Sequence, residues 1–409
     1  MSVSLEPPVT PKAPHQSIVR AATVAADQFF ATLPLPERVD GMASVVITHV
    51  LPGQMNFLPA LDRMLPVAAV LPKPKSADRR TLDQVSAVYP CDQLDRDRFA
   101  DPDWLGPYLH DRAAGRRLVL ADIGGYFAPC LKDLVTSYPD LIAGVVEDTE
   151  NGLRRYLALP EVPCPVFHVA RSPLKEPEDQ LVGAAIVVSV ESLLGRLGEV
   201  LSGREACVLG YGKIGAGIAA ALIARRVRVT VIDTDPIRQT QAVASGFTTA
   251  PLHEALARSE LVFSATGARA LGMEHLGMLR DGAFIAGGTS ADDEFDLAPL
   301  GSVSSGYRRE SVAPGIARYE REGRAFHLLG NGNAVNFVHS SALGPAIHVI
   351  KAEILAAAGM LATQRIPAVL HEVPNPTRSA IAAKWLEAFQ PVPSLPVGAP
   401  AAVAHGGTQ

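Results

Sequence analysis

The chain has 409 residues, 48% of them apolar and 19% charged, enough for two average domains with buried cores. Lys plus Arg is 37 and Asp plus Glu is 42, a formal net charge of −5. So mild an acidity gives no footprint for nucleic acid or an anionic membrane surface, and no uninterrupted apolar run reaches the roughly 18 residues of a membrane span.

Residues 1–16 are proline-rich and read as a disordered arm, without the basic start and apolar core of a signal peptide. A cytoplasmic location is expected. Residues 42–50 (MASVVITHV) predict a buried strand, followed by a helical stretch over 56–65 and a short strand over 67–71. Further strands are predicted at 116–122 and 142–149, the second followed by a helix over 151–159. Short apolar strands alternating with helices predict a parallel sheet covered on both faces. A long apolar helix over about 181–201 leads into strands ending at Leu209 and over 227–233, 260–266 and 282–288, a second doubly wound unit. A helix over 340–360, small and apolar on most faces, could carry the chain back to the first unit. Residues 390–409 form a low-complexity Pro/Ala/Gly tail.

The fold class expected is α/β, with two doubly wound parallel-sheet domains. A Rossmann domain over 186–340 would be inserted into a discontinuous substrate domain formed by 17–185 and 341–389. The four cysteines, Cys91, Cys130, Cys164 and Cys207, fit neither a disulfide framework nor a zinc knuckle. No His, Cys or carboxylate cluster has metal-ligand spacing, so no catalytic metal is expected.

Gly210-Tyr211-Gly212-Lys213-Ile214-Gly215 is a GxGxxG between a strand and a helix. Gly210 permits the tight turn, Gly212 lets the backbone approach a pyrophosphate, and Gly215 lets helix and strand pack closely. The helix N-terminus offers N–H groups to the phosphates. Asp233 ends the next strand, where a carboxylate accepts from the adenosine ribose and repels a 2′-phosphate. The cofactor expected is NAD rather than NADP.

VLGYGKIGAGIAAAL, VIDTDPIRQTQAVASGF and FSATGARALGMEHLGMLRDGAFIAGG resemble the cofactor domain of the S-adenosylhomocysteine hydrolase (adenosylhomocysteinase) family. VVEDTENGLRRY resembles its segment joining the substrate and cofactor sites, and HVARSPLKEPEDQLVG its catalytic stretch. The resemblance implies bound NAD that oxidises a ribose 3′-hydroxyl, acidifying the C4′ proton so that the 5′ substituent can be eliminated and water added. It implies catalytic roles for Lys175, Asp179, Asp122 and His49, with Asp148 on the substrate. On the cofactor it implies Thr149, Lys213, Ile214, Thr266, Gly267 and Asn336.

The chain departs from that pattern in several places. Ala170 and Gln180 replace substrate asparagines, and Leu51 and Gly53 replace the pair that reads adenine. Ala342-Leu343-Gly344-Pro345 replaces a Gly-His gate, with His339 nearby, and the histidine after the 282–288 strand is replaced within Thr289-Ser290. The C-terminal Lys and Tyr are absent. A nucleoside or sugar other than S-adenosylhomocysteine is therefore expected as substrate, with a homo-oligomeric assembly. Three alternatives stay open: a genuine S-adenosylhomocysteine hydrolase, a silent NAD-binding regulator, and a 2-hydroxy-acid dehydrogenase. The last needs an Arg and a Glu-His relay, which Arg324, His327 and His339 do not form.

Overall fold

A computed structural model of the chain describes residues 16–289, 294–339 and 343–390. The N-terminal arm over 1–15, the tail over 391–409, Ser290 and Ala342 lie outside the described residues. The side chain of His339 does so as well.

The first sheet contains β1 (Met42–Val50), β2 (Val67–Ala77), β3 (Arg117–Asp122), β4 (Ile142–Glu147) and β5 (Val166–His168). Its spatial order is β2-β1-β3-β4-β5, closed at the far edge by the two-residue β15 (Leu370–His371), and every pairing is parallel. β1 shows why the sequence reads as a continuous apolar run. Ala43, Val45 and Ile47 enter the core on one face, and Met42, Val46 and Val50 enter the core on the other. A strand buried on both faces has no polar side to alternate with.

The second sheet contains β6 (Glu205–Leu209), β7 (Arg228–Ile232), β8 (Leu261–Ser264), β10 (Ala283–Gly287), β12 (Arg308–Ala313), β13 (Ile316–Arg321) and β14 (Arg324–Leu329). A small separate pair joins β9 (Leu271–Gly272) to β11 (Phe295–Asp296). The order of the large sheet is β12-β13-β14-β10-β8-β6-β7. It is parallel from β7 to β14, and then two hairpins add an antiparallel edge. That edge extends the parallel sheet expected of the second unit.

Both sheets carry a topological switch point. From β1 the chain goes to β2 on one side, then crosses to β3 on the other, and β6, β7 and β8 repeat the manoeuvre. Ligands of open α/β sheets bind in the crevice beyond the strand C-termini at such a point. Those crevices lie between the ends of β1 and β3, and between the ends of β6 and β8.

The predicted helix over 340–360 is the helix Ala346–Thr363. It packs on β3, β4 and the helices Phe57–Met64 and Asn375–Phe389, returning the chain to the first sheet. Fourteen of its residues are buried, including Lys351 and Glu353. It is long and apolar enough to cross a membrane, but most of it is a core helix of this fold. Most of its apolar surface is covered within the one chain.

Candidate active site

The cofactor loop follows β6. Gly210 has φ +90°, in the left-handed region, and a Cβ there would lie 2.8 Å from the carbonyl oxygen of Ala265 in the loop after β8. A Cβ at Gly215 would lie 1.9 Å from the oxygen of Gly210, so only glycine closes this turn onto the helix Lys213–Ile223. The result is a bare backbone cradle at a helix N-terminus, which fits the pyrophosphate of a dinucleotide.

Asp233 reaches back into that loop. Its Oδ2 accepts from the Tyr211 N–H at 2.6 Å, and Oδ1 accepts from the Asp235 N–H at 2.8 Å. The carboxylate thus fixes the loop and retains lone pairs for a ribose. Arg238, which the sequence reading passed over, has its Nη1 3.2 Å from where a Cβ on Gly212 would stand.

On the opposite wall, Thr266 and Gly267 hang from the buried carboxylate of Glu294. Glu294 Oε2 accepts from Ser264 Oγ at 2.7 Å and Thr266 N at 3.0 Å, and Oε1 accepts from Gly267 N at 3.1 Å. Glu294 lies 27 residues beyond Gly267, with no local pattern to flag it. Asn336 is buried in the segment Val335–His339, beside the end of β10, where Gly287 bridges to Ala334.

The two sheets turn their C-terminal edges toward each other. A Cβ on Gly267 would lie 2.5 Å from Asn151 Oδ1, at the start of the helix after β4. Lys213 Nζ donates to the carbonyl of Ala170 at 3.1 Å and stands 3.6 Å from Asp179 Oδ2. Gly183 and Gly217 let the helices Glu176–Gly195 and Lys213–Ile223 meet backbone to backbone, with a Cβ on Gly183 falling 2.6 Å from Ile218 N. The His49 ring centroid is 5.1 Å from that of Phe337.

Between these edges lies a buried charge network. Lys175, 8% exposed, caps the helix Glu176–Gly195 and donates to Asp148 Oδ1 at 2.7 Å and to Glu178 Oε2 at 3.0 Å. Lys351, from the core helix, stands 3.6 Å from Asp148 Oδ2. Burial pushes the Asp148 carboxyl up, but the two ammonium groups outweigh it and hold the carboxyl well below its usual range. Burial alone would lower Lys175; Asp148, Glu178 and Asp179 reverse this and keep it cationic well above its usual range. Burial pushes the Asp179 carboxyl up.

His49 shares a hydrogen bond between Nδ1 and the hydroxyl of Ser76, which leaves Nε2 as its other proton site. Burial, reinforced by Lys73 and Lys351, lowers its pKa well below the ordinary imidazole value. At neutral pH it is an uncharged base.

Asp122 and Thr149 have other commitments. Asp122, 1% exposed, accepts from Tyr126 N at 3.1 Å, Phe127 N at 3.2 Å and Tyr156 Oη at 2.6 Å. Those contacts anchor the turn after β3, and burial pushes the Asp122 carboxyl up. Thr149 Oγ1 donates to Glu147 Oε1 at 2.7 Å and accepts from Gly152 N at 3.1 Å, so its hydroxyl caps a helix. Glu147 also accepts from the N–H groups of Gly124 and Gly125, and burial with repulsion from Asp122 pushes its carboxyl up to about 8.

Residues 188–342 match the family of the S-adenosyl-L-homocysteine hydrolase NAD binding domain. The match falls on the Rossmann unit. The adenosylhomocysteinase of Sulfurisphaera tokodaii is 30% identical over 198 residues, 47% of this chain and 47% of that protein. The adenosylhomocysteinase of Aeropyrum pernix is 28% identical over 229 residues, 54% of this chain and 53% of that protein. The chain spans about half the length of the curated relatives it matches. Among solved structures, phosphoglycerate oxidoreductase from Vibrio Cholerae o395 aligns at 15% identity and TM-score 0.39, covering 64% of this chain and 79% of that one. The cofactor is NAD, consistent with the glycine cradle and Asp233.

Proposed function

We propose that the chain is an adenosylhomocysteinase-like enzyme that oxidises the 3′-hydroxyl of a ribosyl-like diol and drives elimination and addition at C4′–C5′. The observation that carries this reading is the buried Lys175–Asp148 pair, with Asp148 just beyond the C-terminal end of β4. NAD, when bound, supplies the hydride acceptor and later the hydride donor. Gly210, Gly212, Gly215, Asp233, Thr266, Gly267 and Asn336 hold it, with Lys213 and Ile214 starting the helix beneath it.

Lys175 presents a fixed cation to the diol oxygen, where negative charge develops as the C4′ proton leaves. Asp148 keeps that cation ionised and aimed. Asp179 lies within reach of the neighbouring hydroxyl. His49, a neutral imidazole, is the base that takes the C4′ proton at Nε2 and, as imidazolium, gives it to the departing 5′ substituent; it then takes a proton from the water that adds. Asp122 contributes by anchoring the turn that follows β3.

The substrate in this reading is a nucleoside or sugar other than S-adenosylhomocysteine. Leu51 is buried and apolar, and Gly53 has no side chain, at the two positions where the family reads adenine. A site that loses its hydrogen-bonding partners loses a selectivity that reaches about 10⁴. The test is homocysteine release from S-adenosylhomocysteine by the NAD-loaded protein. The proposal expects little or none; turnover near ~1 per second or faster, ordinary for an enzyme on its own substrate, restores plain hydrolase function.

A further inference from the structure

Lys175 is held by two carboxylates, and the mechanism above uses only one of them. Asp148 follows β4, whereas Glu178 stands in the first turn of the helix Glu176–Gly195, three residues after Lys175. Lys175 Nζ donates to Glu178 Oε2 at 3.0 Å, and Glu178 is buried. With Lys351 on the far oxygen of Asp148, the buried charges alternate in sign from Lys351 through Asp148 and Lys175 to Glu178.

The two carboxylates differ in their surroundings. Asp148 faces two ammonium groups and is held well below its usual range. Among the described residues, Glu178 is paired with Lys175 alone. Burial, chiefly, pushes the Glu178 carboxyl up; Lys175 pulls it down, and Asp148 and Asp179 repel its charge. Asp179, on the same helix, stands 3.6 Å from Lys213. Where environments push two carboxyls apart, the one pushed up is the one suited to take a proton.

Oxidising an alcohol removes a hydride from carbon and a proton from oxygen. Bound NAD accounts for the hydride, but no residue of the mechanism above receives the hydroxyl proton. Lys175 is an ammonium with no lone pair, so it can take a proton only by giving one up.

We propose that Glu178 stores the hydroxyl proton of the diol, acting through Lys175 and not by contact with the sugar. As the hydride leaves for bound NAD, Lys175 Nζ passes one proton to Glu178 Oε2 and takes the hydroxyl proton in its place. Lys175 is an ammonium before and after, the alcohol has become a ketone, and Glu178 is a neutral acid. When the ketone is reduced again, the proton returns by the reverse path. The inference rests on the diol-oxidising reading for the source of the proton.

The experiment uses NAD-loaded protein and adenosine. Infrared difference spectra across a pH titration, without adenosine, should show a carboxyl band that titrates above the usual glutamate range and is missing in Glu178→Gln. Adenosine added above that pH should reduce the nicotinamide, raise the same protonated-carboxyl band and release no proton to an indicator dye. Glu178→Gln should slow the reduction by about a hundredfold, with NAD content and adenosine Kd unchanged, and Glu178→Asp should recover part of the rate. The wild-type rate should rise with pH through the Glu178 titration, because the acceptor must be ionised, and Glu178→Gln should lack that limb. A Glu178→Gln rate equal to wild type, or one proton released for each nicotinamide reduced, overturns the store and leaves the diol-oxidising reading standing. No reduction of the wild type by adenosine counts against that reading, and the titration then decides on Glu178. A band that Glu178→Gln removes upholds it as the proton acceptor beside Lys175; no such band overturns it.

Discussion

The ammonium of Lys175 and the carboxylate of Asp148 meet at 2.7 Å, both more than nine-tenths buried, and Lys351 approaches the other carboxylate oxygen at 3.6 Å. One anion thus holds two cations from parts of the chain 176 residues apart. Breaking a buried pair leaves its partner uncompensated, at a cost of about 3–5 kcal/mol. Asp148→Asn should lose that much in urea unfolding, and adding Lys175→Met should recover part of it. A single variant within ~1 kcal/mol of wild type would show that the pair is solvated and free to rearrange.

Cofactor choice follows from Asp233 and its surroundings. Asp233→Asn should weaken NAD and reduce discrimination against NADP, because the carboxylate both repels a 2′-phosphate and holds the Tyr211 N–H. Arg238, beside Gly212, adds a cation to the same loop. Arg238→Ala should raise the NAD Kd roughly fivefold to tenfold, about 1–1.4 kcal/mol. Equal affinity of the wild type for NAD and NADP in calorimetry would remove the role given to Asp233.

Stability should fall on the acid side. Burial, chiefly, lowers the pKa of His348 to about 4, where its ring stacks on Phe389 and meets the edge of Phe30. The unfolded chain takes up this proton below about pH 6.5, and the native chain refuses it until about 4. The stabilisation is therefore complete above 6.5 and is lost as pH falls through that window, by about 3 kcal/mol from this group. His168 and His49 shift in the same direction. His348→Phe should make the fall in unfolding free energy between pH 7 and 4 shallower; an unchanged slope would contradict the assignment.

The legible parts of this chain were those with local signatures. β1 and β3 stand out as apolar runs, and in the GxGxxG loop Gly215 is required by its contact with Gly210, five residues earlier. The helix predicted from residue 181 starts at Glu176 because Pro177 and three acidic side chains suit its first turn. The hairpins of β12 to β14 were hidden by short strands with charged exposed positions. Their signals are Pro314-Gly315 and the two-residue turn Glu322-Gly323, with φ +54° and +78°.

Within the site, strand-end residues were readable and their partners were not. Glu178 could have been found three residues from Lys175, on the same helix face. Lys351 and Glu353 could have been flagged as charges inside an apolar helix, since buried charges require partners. That Glu353 meets Ser172 and Arg378, or Lys351 meets Asp148, is a long-range fact that no local pattern carries.

The central claim is that bound NAD and Lys175 together oxidise a vicinal diol. Purified protein should release nicotinamide cofactor on denaturation, and a ribosyl diol added to the native protein should produce one equivalent of bound reduced nicotinamide in a single turnover. Lys175→Ala should abolish that reduction while the NAD content stays unchanged. Reduction by Lys175→Ala at the wild-type rate, or no reduction of wild-type cofactor by any ribosyl nucleoside or sugar phosphate, would contradict the account.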